Sequence, residues 1–150
     1  MPELNLGDRM PDTTLVSEEG LVNLRDRIGK PLVVYFYPAD ETYGCTREAC
    51  SFRDQYEDFV AAGAEVIGIS RDDTTSHAKF KANHRLPFVL LSDPGGKAAK
   101  SWGLRPLFGL PARATFVFDK EGILRHRFDS HIRFRKHVDE ALATVRKLAM

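Results

Sequence analysis

The sequence predicts an α/β domain of three layers, in which a mixed central β-sheet lies between helices on both faces. Three observations predict this fold class. The chain has 150 residues, the usual size of one domain, so we expect residues 1–150 to form a single domain. Its first half alternates apolar β-branched runs with segments of helical period, which is typical of parallel strands. Its second half ends in a β-hairpin pattern followed by an amphipathic segment.

The first elements lead into a polar loop. Short apolar stretches at residues 14–16 and 21–24, separated by polar turn residues, predict a small N-terminal hairpin. Residues 31–37 (PLVVYFY) are β-branched and aromatic, the pattern of a strand buried on both faces. Residues 39–44 are polar, so we expect the strand to run directly into a loop at the edge of the sheet.

From residue 45 the apolar positions follow a helical period. They lie on one face over four turns, and Gly63 is placed to end the helix. Residues 64–70 (AEVIGIS) predict a second strand, so strand, helix and strand form a right-handed βαβ unit. The residues of the apolar face are Cys45, Ala49, Phe52, Tyr56, Phe59 and Val60.

The remaining elements follow from similar patterns. Asp73 or Thr74 is the expected N-cap of the next helix, and the terminal helix has one apolar face that we expect to dock on the sheet. The elements expected here are a helix over 75–83, a strand over 88–91, a short helix around 97–102, hairpin strands over 113–118 and 123–128, and a terminal helix from 134.

Composition and charge exclude several classes of protein. The chain carries 22 basic and 21 acidic residues, a net charge of +1, which provides no overall field for nucleic acid or an anionic membrane. No apolar run approaches the ~18–20 residues that span a bilayer, and the first residues lack the pattern of a secretory signal. The basic stretch at residues 125–136 is expected to be a solvated face. We therefore expect a cytoplasmic protein that binds neither nucleic acid nor membrane.

The two cysteines, Cys45 and Cys50, are the most informative residues of the composition. They are too few for a disulfide scaffold, and a zinc site is disfavoured because all five histidines lie far along the chain. No metal or cofactor is expected. Two interpretations remain, namely redox chemistry and a pair of inert buried thiols.

Cys45 occupies a position that suits a nucleophile. It follows a buried strand and a polar loop, and it opens a helix. The N-terminus of a helix offers unpaired N–H groups and a partial positive charge, both of which favour thiolate over thiol. Arg47 lies nearby in the sequence. Nucleophiles in α/β folds often lie at the carboxyl end of a strand, as this one is expected to do.

The residues around Cys45 resemble a known family. Residues 35–54 (YFYPADETYGCTREACSFRD) contain the Pro-x3-Thr-x2-Cys pattern of peroxiredoxins as Pro38, Thr42 and Cys45. Cys50, five residues after the first cysteine, is typical of the bacterioferritin comigratory protein or peroxiredoxin Q branch. Arg113 matches the family's distal arginine at the start of a late strand. The resemblance covers nearly the whole chain and departs locally at Tyr43, where relatives often have proline.

The resemblance implies a thioredoxin-like fold and a thiol-dependent peroxidase for hydrogen peroxide and organic hydroperoxides. It implies that Cys45 is the peroxidatic cysteine, which becomes a sulfenic acid, and that Cys50 resolves it as a Cys45–Cys50 disulfide. Thr42 is then expected to hydrogen-bond the thiolate or the peroxide, Arg113 to stabilise thiolate and transition state, and Pro38 to screen the pocket from water. The implied reductant is thioredoxin, and the implied state is a monomer.

Helix geometry adds one hypothesis. Five residues along a helix separate two Cα atoms by roughly 8–9 Å, whereas bridged cysteines need about 7 Å or less. Cys45 and Cys50 therefore cannot pair while their helix is intact. We expect oxidation to unwind residues 45–51.

Several alternatives remain open at this stage. One alternative is a thioredoxin-like thiol–disulfide exchange protein, although such proteins usually have two residues between their cysteines rather than four. Another alternative is a redox sensor without rapid turnover. Cys50 is alternatively a bystander. Arg47 and Glu48 are expected to be a solvated pair, with orientation of Arg113 or Arg47 by Glu48 as the other interpretation.

Overall fold

The computed structural model describes residues 4–149, and its centre is a mixed seven-stranded sheet. The strand order is β2-β1-β5-β4-β3-β6-β7. Strands β3, β4 and β5 are parallel, whereas β6 pairs antiparallel with β3, and the hairpin of β1 and β2 lies at the opposite edge. The strands are β1 (Thr14–Ser17), β2 (Gly20–Asn23), β3 (Leu32–Phe36), β4 (Glu65–Ser70), β5 (Val89–Ser92), β6 (Ala114–Phe118) and β7 (Leu124–Asp129).

Helices cover both faces of this sheet. On one face α1, α2, α3 and α5 enclose an apolar cluster, and α1 packs along α5. On the other face α4 and the N-terminal segment enclose a second cluster around Trp102. The predicted three-layer, thioredoxin-like class is thus confirmed. The helices are α1 (Tyr43–Asp54), α2 (Tyr56–Ala61), α3 (Thr74–His84), α4 (Lys97–Ser101) and α5 (Phe134–Leu148).

The central strand β3 brings two distant segments to one end of the sheet. All five of its residues are buried, as their β-branched and aromatic composition predicts. Its last residue, Phe36, is paired with Ala114, the first residue of β6. The loop that follows β3 and the residue that precedes β6, Arg113, therefore meet at the same end of the sheet.

The structure corrects the prediction of one long helix from Cys45 to Gly63. The helix begins two residues earlier, at Tyr43, and is interrupted at Gln55, where φ is −101° and ψ is 6°. This break changes the helix phase, so Phe59 is buried whereas Val60 is 53% exposed. Other boundaries agree with the prediction to within about two residues, and Asp73 caps α3 through a bond from the Ser76 N–H.

Within residues 4–149, the structure contains no helix with the length and apolar character that a bilayer crossing requires.

Candidate active site

The sulfur of Cys45 lies at the start of α1, in its first turn. The residue is only 1% exposed, and its thiol is free. Two N–H groups point at Sγ. One comes from Nη2 of Arg113 at 3.3 Å, and the other from the backbone of Ala39 at 3.5 Å. The sulfur therefore has a cationic and a neutral donor in addition to the partial charge of the helix N-terminus.

Arg113 is held between three partners. It is 5% exposed and precedes β6, and its Nη1 donates to Oε1 of Glu48 at 2.7 Å. The ring of Phe134 lies 4.9 Å from the guanidinium carbon. Burial acts to lower the pKa of Arg113, but the negative charges of Glu48 and Cys45 outweigh burial and raise that pKa. The guanidinium thus remains a fixed cation beside the sulfur.

Glu48 departs from the sequence prediction. It was expected in a solvated pair with Arg47, yet it is fully buried, whereas Arg47 is exposed. Three residues after Cys45 on α1, its side chain lies on the same side of the helix, where Arg113 and the α5 residue His137 lie against it. Burial raises the pKa of Glu48 to about 7, although Arg113 acts in the opposite direction. The interpretation that Glu48 orients Arg113 therefore agrees with the structure.

His137 is a buried residue of the site that the sequence analysis did not identify. Its Nε2 lies 2.8 Å from the carbonyl oxygen of Ser130, and its Nδ1 lies 2.8 Å from Oγ1 of Thr115. Burial lowers the pKa of His137 to about 4, so the ring is neutral at physiological pH. Nε2–H donates to Ser130 and Nδ1 accepts from Thr115. Nδ1 is also 3.6 Å from Oε2 of Glu48, which has no hydrogen-bond partner among residues 4–149.

Pro38 and Thr42 lie in the loop between β3 and α1. Pro38 is buried. Thr42 is exposed, and its hydroxyl donates to the carbonyl oxygen of Ala39 at 2.9 Å rather than to the sulfur. The bond fixes the orientation of the hydroxyl and leaves its oxygen lone pairs available to accept. Arg113 and Ala39 therefore donate directly to the sulfur, whereas Thr42 contacts Ala39 and not the sulfur itself.

Cys50 shares α1 with Cys45. The thiol of Cys50 is free and half-buried, and α1 is continuous from Tyr43 to Asp54. An intact helix holds the two Cα atoms roughly 8–9 Å apart, which is beyond the reach of a disulfide. This arrangement is that of a reduced, separated pair.

Gly44 is a residue that the site requires to be glycine. A Cβ atom at this position would lie 2.7 Å from Cζ of Phe134 and 3.1 Å from Nη2 of Arg113. Phe134, at the start of α5, thus closes over the first turn of α1. This close approach keeps the Arg113 guanidinium between the aromatic ring and the sulfur.

One group of side chains in residues 4–149 has the composition of a metal site. The ligating atoms of Asp40, Asp72 and His77 all lie within 4.8 Å of one another. Asp40 and Asp72 both accept hydrogen bonds from neighbouring N–H or O–H groups, and Nδ1 of His77 is bonded to Asp40. The group is therefore best described as a hydrogen-bonded network next to the active site.

Comparison with known proteins identifies the class. The family model described as the AhpC/TSA family matches residues 6–127. The chloroplastic peroxiredoxin Q of Populus jackii is 50% identical over 149 residues, which are 97% of this chain and 70% of that relative. The chloroplastic peroxiredoxin Q of Arabidopsis thaliana is 51% identical over 143 residues, which are 93% of this chain and 66% of that relative.

Solved structures agree. Peroxidoxin BcpB from Mycobacterium tuberculosis superimposes with a TM-score of 0.89 at 37% identity, covering 97% of this chain and 98% of that one. The bacterioferritin comigratory protein of Xanthomonas campestris gives 0.86 at 30% identity, covering 98% of each chain. Fold and comparisons together define a thiol peroxidase of the oxidoreductase class. The chain belongs to the AhpC/TSA family, in its peroxiredoxin Q branch. That class implies a peroxide substrate and a thiol reductant.

The same comparison corrects one expectation. A cytoplasmic location was predicted, but the curated relatives at about 50% identity are named chloroplastic, which points to the plastid rather than the cytoplasm. The structural neighbours quoted above are bacterial. The prediction was wrong because it depended on the lack of a secretory signal, which does not distinguish cytoplasm from plastid.

Proposed function

We propose that Cys45 is the peroxidatic cysteine of a peroxidase that reduces hydrogen peroxide and organic hydroperoxides. The observation that carries this proposal is the convergence of two N–H donors, from Arg113 and Ala39, on a buried sulfur at the first turn of α1. Donors that are fixed before the reaction stabilise developing negative charge without reorganisation. The bacterioferritin comigratory protein of Xanthomonas campestris has alkyl peroxide reduction activity, which supports organic hydroperoxides as substrates here.

In the first step the Cys45 thiolate attacks one peroxide oxygen. An S–O bond forms and the O–O bond breaks, giving a sulfenic acid and a hydroxide or alkoxide that takes up a proton. Arg113 stabilises both the thiolate and the charge that builds on the departing oxygen. Thr42, whose hydroxyl donates to Ala39, offers lone pairs to the O–H of the peroxide. Pro38, buried and without an N–H, excludes water from this side.

In the second step Cys50 attacks the sulfenic sulfur. A disulfide forms and water leaves, so the oxidation state of the protein is unchanged by this step. The two sulfurs meet only after the turns of α1 that separate them have unwound, because both cysteines lie on one continuous helix. We propose that this unwinding also exposes the disulfide to an external reductant.

In the third step a dithiol protein reduces the bridge. One thiolate of the reductant attacks the disulfide to give a mixed disulfide, and the second thiol of the reductant then attacks that bond. The disulfide is left on the reductant, and both cysteines of this chain return to thiols. We propose thioredoxin as this reductant, since the resemblance to peroxiredoxin Q implies it.

The test is peroxide consumption coupled to reduced thioredoxin. We expect turnover with the wild-type protein, none with Cys45→Ser, and a single turnover followed by stalling or over-oxidation with Cys50→Ser. Retained turnover in Cys45→Ser would overturn the proposal. Reduction of insulin disulfides without peroxide consumption would instead indicate a thiol–disulfide exchange protein.

A further inference from the structure

Residues 38–42, which we call the active-site loop, are attached to α3 by a buried carboxylate. Asp40 accepts hydrogen bonds from the hydroxyl of Tyr37 at 2.6 Å and from the hydroxyl of Ser76 at 2.8 Å. Nδ1 of His77 lies 2.8 Å from the same carboxylate, and the side chains of His77 and Asp40 are each 2% exposed. Three donors, two on α3 and one on the residue that follows β3, therefore converge on one loop side chain.

The protonation of His77 follows from its neighbours. Nδ1 faces the Asp40 carboxylate, and Nε2 lies 3.0 Å from the carbonyl oxygen of Leu91. Both partners are acceptors, and only the doubly protonated ring donates to both. Burial acts to raise the pKa of Asp40, but the hydrogen bonds from His77 and Tyr37 outweigh it and lower that pKa, so the carboxyl is ionised. Asp40 and His77 thus form a buried ion pair.

The backbone of the loop is held at the same residue. The N–H of Asp40 donates to Oδ2 of Asp72 at 2.8 Å, and the same oxygen accepts from the hydroxyl of Ser70 at 2.7 Å. Ala39, the preceding residue, directs its N–H at the Cys45 sulfur and its carbonyl oxygen at Thr42. The Ala39 carbonyl and the Asp40 N–H belong to one peptide group, and the Ala39 N–H lies in the peptide group before it. The bond to Asp72 therefore restrains the backbone beside both contacts of the active site.

A second, exposed attachment supports the first. Glu41 has a φ of +59°, in the left-handed region that favours glycine, and its carboxylate bonds Nε2 of His84 at 2.7 Å. Nδ2 of Asn83 donates to the same carboxylate at 2.5 Å. The loop is thus joined to both ends of α3, and the buried pair is the attachment that solvent screens less.

We propose that Asp40 and His77 are positioning residues for the peroxide reaction. Their ion pair holds the Ala39 N–H on the Cys45 sulfur and opposes the movement of Cys45 toward Cys50. This inference rests on the proposed function, because it presumes that Cys45 reacts first and that Cys50 resolves it. According to this proposal, the ion pair favours the first step, sulfenic acid formation, and opposes the second step, disulfide formation.

Loss of the ion pair is expected to slow sulfenic acid formation, because the neutral donor on the sulfur is no longer fixed. It is expected to accelerate disulfide formation, because the loop that leads into α1 separates from α3 more often and the start of α1 is then less restrained. Loss of a residue with a purely structural role would alter the stability of the chain, but it would not slow the first step while accelerating the second.

The experiment uses Asp40→Asn, His77→Phe and the double variant. Stopped-flow oxidation by hydrogen peroxide in a Cys50→Ser background measures the first step, and disulfide formation in the chain with both cysteines measures the second. We expect each single variant to slow the first step about tenfold and to accelerate the second severalfold. The double variant is expected to match the slower single variant, because both changes break one interaction.

Val145→Ala is the matched control. Val145 of α5 is fully buried in the apolar cluster that also contains Cys45, and its side chain has no polar group. Its truncation therefore lowers stability without changing the ion pair. We expect the control to lower the melting temperature and to leave the first step within about twofold of the wild type. His77→Gln, which keeps one donor, serves if His77→Phe does not fold.

Two outcomes overturn the inference, namely a first step at the wild-type rate in Asp40→Asn, or equal slowing of both steps. Failure of the proposed function is distinguishable, since it requires that the wild-type chain lacks peroxidase activity or that Cys45→Ser retains it.

Discussion

Arg113 donates to the sulfur of Cys45 at 3.3 Å, although the two residues are 68 positions apart in the sequence. The other terminal nitrogen of the same guanidinium donates to Glu48 at 2.7 Å, and Phe134 covers its face. The cation is therefore fixed in direction as well as in place. Because β3 and β6 are neighbours, the residue that precedes β6 lies beside the loop that follows β3. The sheet order is thus the cause of the contact.

Arg113→Lys is expected to lower the rate of peroxide reduction about 100-fold, since a lysine does not donate to the sulfur and to Glu48 in the same fork geometry. The measurement is the second-order rate constant of Cys45 oxidation by hydrogen peroxide in a Cys50→Ser background. Arg125→Met is the matched control, because Arg125 is an exposed arginine of β7 that pairs with Asp119. An Arg113→Lys rate equal to that of the control would contradict this role.

Glu48→Gln is expected to change the pH dependence of stability. The folded chain holds the Glu48 proton up to about pH 7, whereas an unfolded glutamate releases it near its ordinary value of 4.5. The native state binds more protons between these values, so the contribution of Glu48 to stability is present below 4.5 and is lost as the pH rises to 7. The wild type should therefore lose stability relative to Glu48→Gln as the pH rises from 4.5 to about 7.

The comparison is made by urea unfolding of the reduced proteins at each pH. His137 acts in the opposite direction, since its pKa is lowered to about 4 and its contribution is lost as the pH falls from 6.5 to 4. Taking the difference between the two proteins removes most of that effect. Parallel pH profiles would show that Glu48 is ionised throughout this range.

Gly44→Ala is expected to destabilise the fold by about 1–3 kcal/mol and to slow peroxide reduction, because the added Cβ displaces Phe134 and Arg113. Unfolding in urea and stopped-flow oxidation measure the two effects. Adding Phe134→Leu removes the ring that the Cβ would meet, so the double variant should regain part of the rate. A double variant no faster than Gly44→Ala would indicate that Phe134 does not transmit the effect.

Oxidation is expected to increase hydrogen–deuterium exchange at the start of α1 while leaving α5 protected. The reason is that Cys45 and Cys50 cannot bridge on an intact helix. Mass spectrometry of the peroxide-treated protein should show an intramolecular bond, and exchange over residues 45–51 should rise with it. A bridged protein in which these amides remain protected would contradict the unwinding step.

The sequence was sufficient for those parts of the fold and site that local pattern determines. The buried composition of β3 and the period of α1 predicted a strand, a loop and a helix around Cys45. The spacing of Pro38, Thr42 and Cys45 indicated the family, which the comparisons then confirmed. These features are readable because each depends on residues close in sequence.

The parts that could not be predicted depend on packing between distant elements. Glu48 follows polar residues in the sequence, and its burial depends on distant residues, Arg113 and His137, that pack against it. His137 falls beside apolar positions of α5, and its bonds to Thr115 and Ser130 depend on the register of the sheet. The ion pair of Asp40 and His77 joins residues 37 positions apart. Such contacts have no periodic signal in one sequence.

The most direct test of the central claim is single-turnover oxidation of the reduced chain by one equivalent of hydrogen peroxide, followed by mass spectrometry of each cysteine. Cys50→Ser should consume the peroxide and carry one added oxygen on residue 45, whereas Cys45→Ser should consume none at a comparable rate. Rapid consumption by Cys45→Ser, with the oxygen on Cys50, would contradict the assignment of Cys45 as the reacting sulfur.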